Sequence, residues 1–485
     1  MTAASLFLFR DDLRLADNPA LRAALETGNP VLLAYIHEPK GSSGRPLGGA
    51  LKWWLHKSLT ALAQSIEKRG SKLHLFSGEP QAVLAKISSV IPLAGVYWNR
   101  RYHPAQIEAD KTLKAALERQ GIAVKSFNAT LLREPWDVKS KSGTPLKVFT
   151  PFWRAARLDY SVPTPLPAPK KLKSLADAKF KFSVSLDDLN LYPSKPDWSA
   201  GLDAEWTPGE TGAQEKLDAF LDGGFTGYAE ERNRPDLPST SRLSPHLRFG
   251  EISIRHIWHA SELALQTGRS KASSEDLRVF QSELGWREFA HHLLFHEPDL
   301  TRTNVQRGFD AFPWHNDERL FNAWSRGKTG YPIVDAGMRE LWQTGFMHNR
   351  VRMIVASFLV KHLLIDWRRG EEWFWDTLVD ADVANNPASW QWVAGSGADA
   401  APYFRIFNPM LQGEKFDPDG NYVRRFVPEL AKLPARLIHA PWDAKPLELE
   451  TAGVKLGKTY PLPIVDHQTA RDRALAAFKS LKESA

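Results

Sequence analysis

Two fold classes share this chain. The sequence predicts an α/β domain on a doubly wound parallel sheet, Rossmann-like, followed by a larger all-α domain. Three observations carry that expectation. Over residues 1–135, short apolar runs alternate with amphipathic helical stretches. From Glu210 to about Asn408 the apolar residues recur at helical spacing, with almost no strand-like alternation. Between them, residues 155–210 are rich in Pro and Lys and follow neither pattern. The expected division is an α/β domain at 1–135, a connector at 136–209 and a helical domain at 210–485.

Strands are expected at Ser5–Phe9, Val31–Ile36, Lys72–Phe76, Gly95–Trp98 and Val124–Phe127, separated by helices such as Leu51–Lys68, Pro80–Val90 and Pro104–Gln120. Such sheets bind ligands at the carboxyl ends of their strands. The first strand runs into Arg10-Asp-Asp-Leu-Arg-Leu-Ala-Asp-Asn18, which lacks the Gly fingerprint of a dinucleotide cradle. Gly44–His56 is Gly-rich and then opens a helix; it could admit a second ligand or be an ordinary flexible loop. Val162-Pro-Thr-Pro-Leu-Pro-Ala-Pro-Lys-Lys-Leu-Lys173 reads as an extended connector, long enough to wrap one domain. Further helices are expected at Ala213–Leu221, Ile254–Leu265, Glu275–Leu294, Glu318–Arg326, Ile333–Gln343, Arg350–Leu364, Gly370–Leu378 and Gln468–Lys482.

Composition narrows the function. At 485 residues the chain exceeds one ordinary core. Its 43% apolar and 25% charged residues are those of a soluble globular protein. No basic, apolar leader and no membrane-length apolar run is evident, so the expected location is the cytoplasm. The absence of cysteine excludes disulfides, thiolate metal sites and a Cys nucleophile, and no metal is expected. A net charge of +7 suits a polyanionic partner. Nine of the 18 tryptophans lie between Trp286 and Trp392, more than packing alone needs.

The chemistry concentrates in Asp380-Ala-Asp-Val-Ala-Asn-Asn-Pro-Ala-Ser-Trp-Gln-Trp392, just after Gly345-Phe-Met-His-Asn-Arg-Val-Arg-Met353. Carboxylates and amides can bind a polar heterocycle, and tryptophan can stack on one or carry an electron. A helix cap followed by two core aromatics would use the same residue types.

These stretches, with Phe9-Arg-Asp-Asp-Leu-Arg-Leu15, Thr240-Ser-Arg-Leu-Ser-Pro245, Gln281-Ser-Glu-Leu-Gly-Trp-Arg-Glu-Phe289, Gly327-Lys-Thr-Gly-Tyr-Pro-Ile-Val-Asp-Ala336 and Asp399-Ala-Ala-Pro-Tyr-Phe-Arg-Ile-Phe-Asn-Pro409, resemble the DNA photolyase/cryptochrome family over nearly the whole chain. They look most like its bacterial cyclobutane-dimer members. The resemblance implies an antenna domain, a connector and an all-α FAD-binding domain. It also implies a carbon–carbon lyase, a deoxyribodipyrimidine photo-lyase, that repairs pyrimidine dimers in UV-damaged DNA, single- or double-stranded. A monomer without an obligate protein partner is expected.

Residue roles follow from the same resemblance. Tyr228 and Thr240, Ser241, Arg242, Leu243 and Ser244 would contact the FAD phosphates and ribityl chain. Hydroxyls, backbone N–H groups and a guanidinium suit a pyrophosphate. Arg287 and Asn349 would join the cofactor site. Asp380 and Asp382 would face Arg352 beside the isoalloxazine ring, and Asn385 would face flavin N5. An amide there is the photolyase choice, whereas plant cryptochromes carry an acid. Trp286 and Trp392 match the walls around a flipped dimer, Glu283 the carboxyl group on the thymine edges, and Asn349 and Met353 the floor. Met353 cannot donate a proton, which disfavours (6-4) repair. Trp390, Trp367 and Trp314 match the electron relay, and Arg232, Arg350 and Arg405 the DNA-backbone contacts. Arg424, Arg425, Lys432 and Arg436 could extend that rim or simply cover a solvated face.

The second, antenna chromophore is left as methenyltetrahydrofolate or 8-hydroxydeazaflavin. Ala105, Gln106 and Arg45 depart from one well-known folate site, and Phe346 stands where the family commonly has Trp. The alternatives are a cryptochrome-like photoreceptor, which Asn385 and the short stretch after helix 468–482 disfavour, and (6-4) repair.

Overall fold

The structure, a computed structural model, describes residues 3–173, 175, 178–399 and 404–483. Residues 400–403 of the motif at 399–409, and the chain's first two residues, lie outside this set.

Five parallel strands form one sheet: β1 (Ala4–Phe9), β2 (Val31–His37), β3 (Leu73–Ser77), β4 (Leu93–Asn99) and β5 (Ala123–Phe127), in the order β3-β2-β1-β4-β5. Ser5 pairs with Val31 on one side and Gly95 on the other. Every residue of β1 is buried, as expected for a parallel sheet covered on both faces. The covering helices are α1 (Pro19–Glu26), α2 (Gly49–Glu67), α3 (Pro80–Val90) and α4 (Pro104–Arg119). Three of them begin with proline, whose fixed φ suits the first helical position. The side chains of Asn18, Glu79 and His103 cap those starts. The predicted strands and helices agree with these bounds within two residues, but α1 was not anticipated.

Parts of the Pro- and Lys-rich stretch bond to the sheet. The Val31 amide donates to the Lys173 carbonyl at 2.9 Å, Leu175 donates back to Val31 at 3.2 Å, and Val184 donates to Leu75 at 3.0 Å. Phe180 joins the sheet core. A helix not expected from sequence, α5 (Phe149–Arg157), packs on the long helix Ser274–His296.

By compactness the chain forms two units: residues 1–226 with 241–298, and residues 227–240 with 299–485. In the second unit, Pro332–Thr344 packs on Asn349–Ser357, which in turn packs on Asn385–Ala394. The expected helix Arg350–Leu364 is shorter. It gives way at Phe358–His362 to a wider π-helical turn, and Leu364 takes a left-handed φ of 54°. The motif at 327–336 has a structural task. Buried Asp335 accepts from the Thr329 amide (2.7 Å), the Thr329 hydroxyl (2.6 Å), the Gly330 amide (3.0 Å) and the Tyr460 hydroxyl (2.7 Å). Gly330 has φ 79°, and a Cβ there would lie 2.5 Å from Leu462.

Candidate active site

The second unit carries Asn349, Arg350, Arg352, Met353, Asp380, Asp382, Asn385, Trp390 and Trp392 on two packed helices and the turn before the second. Arg352 donates from Nη2 to the Asp380 carboxylate at 2.8 Å and from Nε to the Met347 carbonyl at 2.7 Å. Phe346 lies under the guanidinium, 5.1 Å from its ring centre. The position where the family commonly has Trp therefore keeps an aromatic surface for the arginine. Asp382 turns Oδ1 toward the helix start. It accepts from the backbone of Ala384 (2.9 Å) and Asn385 (2.7 Å) and from the Asn385 side-chain amide (2.8 Å). One oxygen thus satisfies the first amides of the helix and orients the Asn385 side chain. Asn349, Met353, Asn385 and Trp392 keep part of their surface open.

Cationic charge surrounds this region. His348 caps Asn349–Ser357, its Nδ1 accepting from the Arg350 amide at 3.1 Å. Burial, and then the nearby charges of Arg350, Arg352 and Arg232, push its imidazole down to about 3, so it is neutral at pH 7. Burial and the proximity of Arg232 and Arg405 lower the guanidinium of Arg350 as well. The three arginines matched to the DNA backbone therefore do converge. Arg350 is held by Asn233 Oδ1 at 2.6 Å and lies over Phe416. Two of the arginines that could extend the rim have partners of their own. Arg424 donates to the carbonyls of Ala431, Asp419 and Leu433, and Arg436 pairs with Glu448. Arg424 is thus committed within the fold, whereas Arg436 stays exposed.

Trp390 and Trp367 are buried, whereas Trp314 is partly open. The Trp367 indole N–H donates to Asn304 Oδ1 at 2.9 Å, and Asn304 in turn donates to Asp310. Trp390 presses on Gly370, where a Cβ would lie 2.1 Å from its ring. Trp324, which sequence reasoning passed over, meets Trp390 edge-on at 6.2 Å. The density of Trp between residues 286 and 392 was the signal available for it.

The first unit carries the rest. Trp286 is stacked on Phe149 at 3.7 Å with 7° between the planes, so one ring face is backed and the residue remains 37% exposed. Arg287 donates to the Thr130 carbonyl at 2.8 Å. Arg242 pairs with Glu205 and lies 4.4 Å over Trp206. A phosphate at Ser241–Ser244 would rely on backbone and hydroxyl groups more than on a free Arg242 guanidinium, while Leu243, 2% exposed, could offer only its backbone. Glu283 is partly exposed on the same helix as Trp286.

At the carboxyl edge of the sheet, beside the switch point between β1 and β4, lies a buried polar cluster. Asp12 accepts from the Arg10 amide at 2.6 Å and from the side chains of Asn99 and Asn18. Burial pushes its carboxyl up to about 6. Arg10 and Arg101 share Asp110, and Arg101 also reaches Glu38 at 3.0 Å. The Nε and Nη2 of Arg10 and the Nε of Arg101 are buried without a hydrogen bond.

A parallel α/β sheet domain, and a helical unit that sets carboxylates, an amide and an arginine among tryptophans, can serve a polar, redox-active heterocycle. Residues 5–170 match the family described as DNA photolyase, and residues 280–480 match the FAD binding domain of DNA photolyase. The chain is 56% identical over its full length to a deoxyribodipyrimidine photo-lyase of Agrobacterium fabrum, covering 99% of that protein. It is 39% identical to cryptochrome-1 of Arabidopsis thaliana over 98% of this chain and 70% of that one. The crystal structure of a bacterial class III photolyase from Agrobacterium tumefaciens superimposes with a TM-score of 0.95 at 55% identity, covering 100% of this chain and 98% of that one. The chain belongs to the DNA photolyase/cryptochrome family. The expected fold class and family are borne out. Among the described residues, no helix is long and apolar enough to cross a membrane.

Proposed function

We propose that this chain is a deoxyribodipyrimidine photo-lyase that repairs cyclobutane pyrimidine dimers in UV-damaged DNA under blue light. The observation that carries this reading is the amide of Asn385, held by Asp382 in a domain of the FAD-binding family. The donor set fits a flavin: a carboxylate–guanidinium pair, a second carboxylate and an oriented amide are what the polar edges of an isoalloxazine need. When bound, reduced FAD supplies the photoexcited electron.

The chain's own residues do the rest. Asp380, Asp382, Arg352 and Asn349 hold the ring edge, and Tyr228 with Thr240–Ser244 and Arg287 hold the phosphates and chain. The amide of Asn385 can accept from N5–H but supplies no proton. Trp286 and Trp392 stack on a flipped dimer, which costs little to extrude because it is already poorly stacked. Glu283 bonds the thymine edges, and Met353 lines the floor. Arg232, Arg350 and Arg405 take DNA phosphates. Trp390, Trp367 and Trp314 carry electrons inward from the surface. The protein acts as a monomer in the cytoplasm, with residues 1–135, 136–209 and 210–485 as antenna domain, connector and repair domain.

A second chromophore serves the antenna domain, either methenyltetrahydrofolate or 8-hydroxydeazaflavin. The unpaired N–H groups of Arg10 and Arg101 at the sheet edge favour an acceptor-rich ring there.

Repair of a thymine-dimer oligonucleotide by the reduced protein, with and without blue light, tests the function. Loss of dimers only in the light supports it. No loss, or loss in the dark, sinks it. Similarity to a plant cryptochrome keeps photoreception as the second reading, which absence of repair together with light-driven flavin reduction would favour.

A further inference from the structure

The turn Phe358–His362 carries a lysine that no role above uses. Lys361 is 5% exposed. Its Nζ donates to the main-chain carbonyl of Arg405 and lies 4.6 Å from the centre of the Phe404 ring. Among the described residues no carboxylate pairs with it, and the charge that acts on it is that of Arg405, another cation. Lysines are rarely buried unless paired, because the ammonium loses its water. Burial, and then Arg405, push this one down to about 7.

The segment 404–407 is fastened at further points. The Phe407 amide donates to the hydroxyl of Ser357, just before the turn, at 3.4 Å. Phe404 stacks on Phe478 of the C-terminal helix at 4.6 Å with 8° between the planes, and the Arg405 guanidinium lies 5.1 Å from the Phe407 ring. Phe404 and Phe407 are buried, whereas Arg405 between them is exposed. The backbone of Arg405 is thus held from inside while its side chain stands in water, near enough to Arg350 for their charges to interact. Packing alone gives no reason for a cation at residue 361, since methionine would fill the same space without shedding water. A buried cation beside an exposed arginine is useful where an anion arrives.

We propose that Lys361 is a positioning residue for DNA binding: through the Arg405 carbonyl it fixes the segment 404–407 so that the Arg405 guanidinium meets a phosphate of the damaged strand, whose negative charge then stabilises the buried ammonium. The inference rests on the reading of Arg405 as a DNA-backbone contact. Charge-assisted hydrogen bonds are roughly twice as strong as neutral ones, so the segment is held most firmly when Lys361 is protonated. The phosphate favours the same protonated state, and DNA binding therefore takes up a proton. Affinity falls as the pH rises from 6.5 to 8.5. The other groups around Lys361 change little over that range. Arg405 and Arg473 are guanidinium cations, and His362, which bonds His467 and accepts from Arg473 at its carbonyl, is pushed down to about 3. His467 is lowered as well, chiefly by burial.

A duplex carrying one thymine dimer is titrated in the dark into the flavin-bearing protein, at fixed ionic strength and at pH 6.5, 7.5 and 8.5, with binding read by fluorescence anisotropy. Wild-type affinity should fall about three- to tenfold across that range. Lys361→Met should bind about fivefold or more weakly at pH 6.5 and lose the slope, while repair per flash at saturating DNA stays within about twofold. Lys361→Arg, a cation that does not titrate here, should restore affinity at pH 6.5 and hold it to pH 8.5. In an Arg405→Ala background the Lys361→Met loss should shrink to within about twofold, because the phosphate contact it serves is gone. A flat wild-type profile, which needs no variant, overturns the proposal. Undiminished affinity or an unchanged slope in Lys361→Met overturns it as well, as does an equal loss in both backgrounds. If Arg405→Ala binds DNA like wild type, the phosphate contact of Arg405 fails and the proposal falls with it. Light-driven repair by wild-type protein, measured alongside, separates each of these outcomes from failure of the repair reading.

Discussion

The side-chain amide of Asn385 donates to Asp382 Oδ1 at 2.8 Å. With the N–H₂ end fixed, the amide oxygen is the end left to meet a ligand, and it can only accept. Replacing Asn385 with Asp would set two carboxyl groups in contact. Their repulsion should raise the proton affinity of the pair. Asn385→Asp therefore places beside N5 a group that can hold and deliver a proton, which the amide cannot. Photoreduced protein should show the spectrum of protonated flavin, and repair should fall at least about tenfold. An unchanged spectrum with full repair would refute the role given to Asn385.

Trp367 stands behind the relay prediction. It is fully buried, and its N–H is held by Asn304. Trp367→Phe removes an oxidisable indole while keeping a ring of similar shape. Light-driven reduction of oxidised flavin should slow by about tenfold or more, while repair by chemically reduced protein should stay within about twofold. Stopped-flow absorbance under illumination gives the first rate, and a dimer oligonucleotide gives the second. Equal loss of both would mean that Trp367 is a packing residue alone.

Much of the fold was legible because parallel strands buried on both faces read as plain apolar runs, and because proline marked the starts of α3 and α4. α1 starts with a proline as well, but its eight residues are too few for a clear helical period. α5 was hidden in a stretch read as connector. Residue types and spacing pointed to the central site, whereas the partners of long side chains did not follow from sequence. Arg242 meets Glu205, Arg424 meets three backbone carbonyls, and Arg287 meets Thr130, all choices that tertiary packing makes.

Phe149 is a residue the sequence offered no reason to single out, yet it backs Trp286 face to face at 3.7 Å. An aromatic pair of this kind is worth about 0.5–1.5 kcal/mol beyond burial. Phe149→Ala should leave Trp286 free to turn and should weaken binding of dimer-containing DNA by about two- to tenfold. Affinity for undamaged DNA, which depends on phosphate contacts, should hardly change. Parallel gel-shift titrations of the two duplexes measure the difference, and an equal loss for both would assign Phe149 to general stability.

Acid should unfold this protein through its buried imidazoles. His348 and His362 are held near 3 and His292 near 4, in each case chiefly by burial, against an ordinary value of 6.5. The folded state therefore binds fewer protons than the unfolded state between those values. Stability is full above pH 6.5 and falls as the pH drops toward 3, by about 1.4 kcal/mol per pH unit for each histidine. His362 offers the clearest test, because its Nε2 meets His467 Nδ1 at 2.9 Å and only one of the pair needs to carry the shared proton. In His362→Gln the amide can still bond His467 but cannot titrate. Urea melts from pH 7 to pH 4.5 should show a shallower decline for the variant, by about one proton's slope. Parallel slopes for variant and wild type would show that His362 titrates alike in the folded and unfolded chains.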